Sequence, residues 1–290
     1  MPDTEQDFEL VLKDREFREI SQLARERFGL DLKPGKEALV SSRLGKKLRQ
    51  RGFRSFSDYY QHVRSDASGE ALIELIDALT TNHTSFLRER SHFEFLARAV
   101  SEEFADRAQL DIWSAACSSG EEPYSIAMCL SDAWSRGGRT RKQTAKILAT
   151  DISTRVLAIA RRGVYPEERF RDVPDSWRRS FLLKGVGASE GFLKVKPDLA
   201  KLVEFERINL IEPFRPGRLF QVIFCRNVMM YFDKGTQQDI VQRLSACLEP
   251  GGYIMVGHSE SLTGVRHELR YVMPAVYRKD KPGAGMRMFR

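Results

Sequence analysis

Cysteine is scarce in this chain of 290 residues: there are four, Cys117, Cys129, Cys225 and Cys247, widely spaced in apolar surroundings. That spacing argues against a disulfide-stapled fold and a cysteine zinc site, so reduced buried thiols and no metal are expected. Long apolar runs are missing too, which excludes a bilayer-spanning helix. The first ten residues are acidic and polar rather than apolar, so no signal peptide is expected and the expected compartment is the cytoplasm. Internal repeats are absent. No G-x-G-x-x-G follows a strand, which disfavours a hydride-transferring dinucleotide enzyme. Acid is not in excess either: 47 Lys and Arg face 40 Asp and Glu, a formal net charge of +7. A basic chain suits an acidic partner, with nucleic acid and an acidic protein surface as the two candidates.

Two grammars are present. Up to about residue 80 the apolar spacing is helical throughout. Phe17, Ile20, Leu23, Ala24 and Phe28 predict one helix, stopped by Gly29. Leu39, Leu44 and Leu48 predict a second over 35–51, stopped by Gly52. Phe56, Tyr60 and Val63 predict a shorter third, and Leu72, Leu75, Ile76 and Leu79 a fourth over 70–80. From about residue 109, strands and helices alternate: strands at 111–116, 146–150 and 221–224, helices at 121–134, 153–162 and 236–247. Such alternation predicts a parallel sheet covered by helices. A strand at 253–256 and a last, antiparallel one at 271–277 complete it. Two alternating runs, 192–195 and 202–205, joined by a turn bearing Pro197, predict a small hairpin inserted within 165–207. The expected domains are 1–85, all helical, and 86–290, α/β with that insertion.

The organising stretch is Asp111-Ile112-Trp113-Ser114-Ala115-Ala116-Cys117-Ser118-Ser119-Gly120-Glu121-Glu122, where a strand passes through small residues into a helix. Small side chains let backbone amides approach a ligand, and Ser119 is placed to cap the helix. The two acids after Gly120 would repel a phosphate and welcome a cationic or hydroxyl-rich ligand; an ordinary turn with exposed acids is the other reading. In an open parallel sheet, ligands bind beyond the carboxyl ends of the strands. Glu122, Asp151 and Asn227 follow three successive strands there. Asp151 alone reads as a helix cap; with the other two it reads as a grip on ribose hydroxyls.

The motifs TNHTSFLRE, WSAACSSGEEPYSIAM, ATDIS, INL, IFCRNVMMYF and EPGGYIMVGHSES occur in this order along nearly the whole chain. Together they resemble the bacterial chemotaxis receptor methyltransferases of the CheR type. The resemblance implies an α/β S-adenosylmethionine-dependent methyltransferase sheet, mostly parallel with its last strand antiparallel, an inserted β-hairpin subdomain and a separate N-terminal helical domain. It implies S-adenosyl-L-methionine as cofactor, S-adenosyl-L-homocysteine as product, and glutamates of chemoreceptor cytoplasmic domains as substrate. By the same resemblance Asn82, Thr84 and Arg88 reach the cofactor from the interdomain segment, with Glu122 and Asp151 facing it from the sheet. Asn209 and Leu210 bracket the adenine, Arg226 and Asn227 line the methionyl side, and Tyr231 stands near the transferred methyl. Arg88 and Tyr231 are the expected catalytic hydrogen-bond donors, although Tyr231 also reads as an aromatic packing on the sheet. Lys36, Arg43, Lys46 and Arg49 on the basic second helix are expected to dock the acidic helical methylation region of the receptor. The hairpin is expected either to hold a receptor C-terminal peptide or only to cover the cofactor. A monomer is expected. Nucleic-acid methylation is disfavoured: Arg226-Asn227-Val228-Met229-Met230-Tyr231 replaces the Asn/Asp-Pro-Pro-aromatic motif of DNA amino-methyltransferases, and no Pro-Cys pair serves cytosine chemistry.

Overall fold

The computed structural model describes residues 10–80, 83–136 and 143–281. The chain divides into two compact units, Met1–Asn82 with Tyr231–Asp233, and His83–Met230 with Lys234–Arg290.

The first unit is helical: α1 (Asp14–Phe28), α2 (Glu37–Arg51), α3 (Phe56–Ser65) and α4 (Glu70–Leu79). Gly29 and Gly52 end α1 and α2 with left-handed backbone, φ 69° and 74°, a conformation that side chains penalise. Ser55 caps α3 by accepting the Asp58 amide at 3.0 Å. The buried stripe of α2 is Val40, Leu44 and Leu48, whereas Leu39 is exposed. One residue turns a helix by about 100°, so Leu39 falls off a stripe spaced by four. For the same reason Tyr59, not Tyr60, joins Phe56 and Val63 inside α3.

The second unit opens with α5 (Ser91–Glu102) and then alternates: β1 (Gln109–Ala115), α6 (Glu121–Arg136), β2 (Thr144–Asp151), α7 (Thr154–Arg162). An inserted segment follows, with β3 (Val164–Pro166), α8 (Asp175–Phe181), β4 (Leu182–Lys184), β5 (Phe192–Val195) and α9 (Pro197–Ala200). The chain resumes with β6 (Val203–Arg207), β7 (Phe220–Cys225), α10 (Lys234–Ala246), β8 (Leu248–Met255), β9 (Leu269–Met273) and β10 (Val276–Lys279). The main sheet has the order β6-β2-β1-β7-β8-β10-β9. Its first five strands run parallel, and β10 is antiparallel to β8. β1 pairs with β2 on one side and β7 on the other, so the strand order reverses beside it, which is where a crevice opens in such sheets. All six residues of β7 are buried, as a strand covered on both faces requires.

Two local expectations are corrected. The run 192–195 does not pair with 202–205: β5 is the centre of a three-stranded antiparallel sheet between β3 and β4. β6 instead lies parallel to β2 at the edge of the main sheet. Both runs alternate with period two, and α9, started by Pro197, separates them. The predicted strand at 271–277 is two strands, β9 and β10, broken where Pro274 offers no amide and Ala275 turns left-handed at φ 64°; β10, not β9, pairs with β8.

Candidate functional site

Strained turns follow β1 and β7 and precede α5. Among the described residues, six non-glycines have left-handed backbone, and Leu87, Glu89, Ala116, Ser118 and Asn227 are five of them. Ala116 and Ser118 follow β1, Asn227 follows β7, and Leu87 and Glu89 precede α5. Such strain collects where surrounding structure holds a ligand site in shape. Gly120 has a different reason from ligand approach: a Cβ there would lie 2.8 Å from Ala160 Cβ and 2.8 Å from Tyr165 Oη.

Arg226 is the electrostatic centre. Its Nε and Nη2 donate to Glu89 Oε2 at 3.3 and 2.8 Å, its Nη1 donates to Glu122 Oε2 at 2.9 Å, and Nη2 also donates to the Arg88 carbonyl. Every guanidinium nitrogen is therefore committed, and the side chain is 2% exposed. Glu122 also accepts from Ser114 Oγ at 2.7 Å. Burial alone would raise the Glu89 carboxyl, but Arg226 and the Asn227 amide outweigh it and hold it at about 2. Burial pushes Glu122 upward, with Arg226 and Ser114 opposing. One cation thus faces two acids, so with both ionised the cluster keeps a negative charge that suits a cationic ligand.

Asp151 ends β2. Its Oδ2 accepts the Ser118 amide at 2.9 Å and its Oδ1 the Ser153 amide at 3.0 Å, so it ties the turn after β1 to the start of α7. Ser153, capping α7, accepts the Val156 amide at 3.3 Å. Glu121 turns away from its neighbour Glu122: it is 1% exposed, receives the Ser119 hydroxyl at 2.7 Å and pairs with Arg169 at 3.4 Å. Arg169 also donates to the carbonyl of buried Thr84 at 3.3 Å. Arg88 donates to the His83 carbonyl at 2.8 Å. Asn209, beyond the end of β6, donates to Glu212 at 2.9 Å, and Leu210 is buried. Asn227 donates to Glu89 Oε1 at 3.1 Å. The structure thus gathers Glu122, Asp151, Arg226 and Asn227 at one sheet edge. Asn82 lies outside the described residues.

Tyr231 ends the 3-10 turn Met229–Tyr231, and its carbonyl accepts the Asp31 amide at 2.8 Å. With Phe232 and Asp233 it belongs to the helical unit. On α2, Lys46 and Arg49 are exposed, and Lys36 is exposed just before it. Arg43 donates to the Leu79 carbonyl, and Lys47 and Arg51 pair with Glu74.

Sequence reasoning passed over three groups, two of which, Glu89 and Glu260, lie inside the quoted motifs. Glu89 closes TNHTSFLRE and pairs with Arg226. His92, beside it, is fully buried, and burial followed by the Arg226 charge lowers it to about 3. Glu260, within GHSES, accepts three amides: Asn227 at 2.8 Å, Gly257 at 2.7 Å and Met230 at 3.3 Å. Its position in a quoted motif was the available signal. Because Glu260 holds the strained loop that carries Asn227, Glu260→Ala should weaken S-adenosylhomocysteine binding by about tenfold, the worth of roughly one charged hydrogen bond. Calorimetry reads this directly, and an unchanged affinity would show that the loop keeps its shape without the carboxylate.

Two family models match this chain. One, described as CheR methyltransferase, all-alpha domain, matches residues 15–80. The other, described as CheR methyltransferase, SAM binding domain, matches residues 82–277. Among curated proteins, the chemotaxis protein methyltransferase 2 of Pseudomonas aeruginosa is 42% identical over 275 residues, covering 92% of this chain and 96% of its own. The chemotaxis protein methyltransferase of Borreliella burgdorferi is 38% identical over 277 residues, covering 93% and 95%. That of Escherichia coli is 38% identical over 276 residues, covering 94% and 93%.

Proposed function

Because this chain belongs to the CheR methyltransferase family, we propose that it methylates glutamate side chains of chemoreceptor cytoplasmic domains, forming γ-glutamyl methyl esters for sensory adaptation. Membership makes it an S-adenosylmethionine-dependent chemotaxis methyltransferase. The observation that supports the cofactor part of this reading is the acid-rich strand edge, Glu122 and Asp151 beside a fully neutralised Arg226; the glutamate acceptor rests on family membership alone. The edge accepts a cationic, hydroxyl-bearing nucleoside and repels a bare phosphate. Among the described residues no helix is long and apolar enough to cross a membrane.

The donor set fits the cofactor's chemistry. In this reading Asp151 would accept from ribose hydroxyls, Asn209 and Leu210 would flank the adenine, Arg226 and Asn227 would line the methionyl side, Glu122 would face the cofactor from the sheet, and Asn82, Thr84 and Arg88 would reach it from the segment before α5. Arg226 acts by placing Glu122 and Asn227. When bound, the cofactor supplies an already activated methyl sulfonium. A substrate glutamate has an ordinary pKa of about 4.3 and is ionised at neutral pH, so no side chain of this chain need act as a base. What the protein adds is alignment and a donor to offset the cost of drying a carboxylate. Tyr231 and Arg88 are assigned that donor role. Tyr231→Phe should lower turnover at saturating substrate by about tenfold, the worth of one positioned hydrogen bond, and leave cofactor affinity unchanged. Equal turnover would remove Tyr231 from the chemistry. The activity itself is tested by incubating the chain with tritiated S-adenosylmethionine and receptor cytoplasmic fragments. Base-labile methanol release is expected, and label stable to base would mean another acceptor.

Lys36, Arg43, Lys46 and Arg49 are proposed to dock the acidic receptor helices. Lys46 and Arg49 are the clean probes, since Arg43 also holds the Leu79 carbonyl. Reversing Lys46 and Arg49 to Glu should raise the Michaelis constant for receptor several-fold and spare cofactor binding. Added salt should do the same to the wild type, because exposed charges are screened over about 8–10 Å. A Michaelis constant indifferent to both would move docking elsewhere.

The small sheet is proposed to hold a receptor C-terminal peptide. Its centre is β5, so β3 and β4 offer unpaired edges, and Leu183, Val186 and Phe192 are exposed there. An extended peptide adds to such an edge as a further strand, raising the local concentration of methylation sites.

A further inference from the structure

Glu89 and His92, neighbours in sequence, come together with the distant His258. Each offers one ligand atom, and these atoms lie within 4.8 Å of one another. Glu89 sits in the turn before α5 and His92 on its first turn, while His258 follows the end of β8. The two imidazoles meet edge to face with centroids 4.7 Å apart. His92 is 0% exposed, and among the described residues neither of its ring nitrogens has a hydrogen-bond partner. Its Nδ1 is 3.6 Å from Glu89 Oε2, too long for a hydrogen bond. Buried polar nitrogens are nearly always satisfied, so a bare pair asks for a partner. His258 is exposed and opens the cluster to solvent, with its Nε2 3.0 Å from Ser91 Oγ.

We propose that Glu89, His92 and His258 form a binding site for a zinc-class divalent cation, and that filling it loosens the cofactor edge. Two imidazoles and a carboxylate are the donor set of three-ligand zinc sites with one open position. They suit zinc, nickel or copper rather than magnesium or calcium, which prefer all-oxygen shells. Zinc–ligand bonds of about 2.0–2.1 Å require the three atoms to close in by rotation of the exposed His258 and of Glu89. The charge balance favours a cation, because among the described residues the two acids Glu89 and Glu122 pair with one guanidinium, that of Arg226. Glu89 also links the new site to the cofactor edge. Its carboxylate holds both Arg226 and Asn227, so a metal that draws it toward His92 and His258 releases them.

The test titrates zinc chloride and cobalt(II) chloride into the purified full chain. One saturable site is expected, with the intense visible bands of four-coordinate cobalt. His258→Ala removes an exposed ligand and leaves the core intact; it should weaken zinc binding at least about 100-fold, since even an outer partner of a metal ligand is worth roughly 10–100-fold. His92→Gln should do the same. Zinc should weaken S-adenosylhomocysteine binding to the wild type and leave that of His258→Ala unchanged. Zinc bound with unaltered affinity in His258→Ala, or no saturable binding, overturns the site. Zinc bound through His258 with no change in S-adenosylhomocysteine affinity overturns the coupling. Both readouts are binding measurements, so they stand apart from whether receptor glutamates are the methyl acceptors.

Discussion

Arg226→Met should lower the free energy of unfolding by about 3–5 kcal/mol, the cost of breaking a buried ion pair from one side. The guanidinium is 2% exposed and serves Glu89, Glu122 and the Arg88 carbonyl at once. Methionine keeps much of the volume and leaves two acids facing each other in a dry place. Arg226→Lys should not restore the loss, because a single ammonium cannot reach all three acceptors in the planar fork that arginine provides. Denaturant unfolding measures the difference, and a deficit under about 1 kcal/mol, the range of an exposed pair, would mean that water reaches the cluster. The pH dependence has a definite sign. Glu89 is held at about 2 against an ordinary 4.5, so its contribution is complete above 4.5 and is lost as pH falls toward 2. Glu122 is shifted upward by burial and offsets part of this at neutral pH. In Arg226→Met the acids gain protons more readily, so the gap to wild type should be widest near neutrality and narrow in acid.

Asp151→Ala should weaken S-adenosylhomocysteine binding by about 100-fold, as expected if two hydrogen bonds to a charged group are lost at roughly 1.5–3 kcal/mol each and partly recovered by water. The product lacks the sulfonium charge, so its ribose and adenine contacts weigh more than in the substrate. Both carboxylate oxygens also accept amides, from Ser118 and Ser153. Part of the loss therefore comes from the turn after β1 losing its tie to β2. Asp151→Asn separates the two contributions: it keeps one acceptor oxygen and should fall between alanine and wild type. Calorimetry decides the matter, and undiminished affinity in Asp151→Ala would end the ribose assignment.

The residues that specify element type were legible along the chain because their signals are local. Phe17, Ile20, Ala24 and Phe28 carry a helical period, and Gly29 ends it with φ 69°. The apolar runs that became β1, β2 and β7 stand out against the helices between them, and Asp151 and Asn227 could be placed at strand ends before any contact was known. The same motifs named the family. Partner choice was not legible. The runs 192–195 and 203–207 alternate alike, yet one centres a small antiparallel sheet and the other edges the main one. The small residues of the turn after β1 read as room for a ligand, but at Gly120 a Cβ would strike Ala160 and Tyr165.

By itself, then, the sequence determined most of the helices, the central strands of the sheet, and which fold and cofactor the motifs belong to, while α5, β3, β4 and the break between β9 and β10 were not read from it. The elements it determined follow from backbone conformational preference and from a repeat of three to four or two residues. Only the tertiary structure decided that Arg226 is spent on Glu89 and Glu122, that Glu260 cradles the Asn227 loop, and that His92 meets His258. Those contacts join residues 137, 104 and 33 positions apart in the first three pairings. Burial strips water from these groups, and each must then find its charge or hydrogen-bond partner in whatever the fold brings near, at a distance no local pattern encodes.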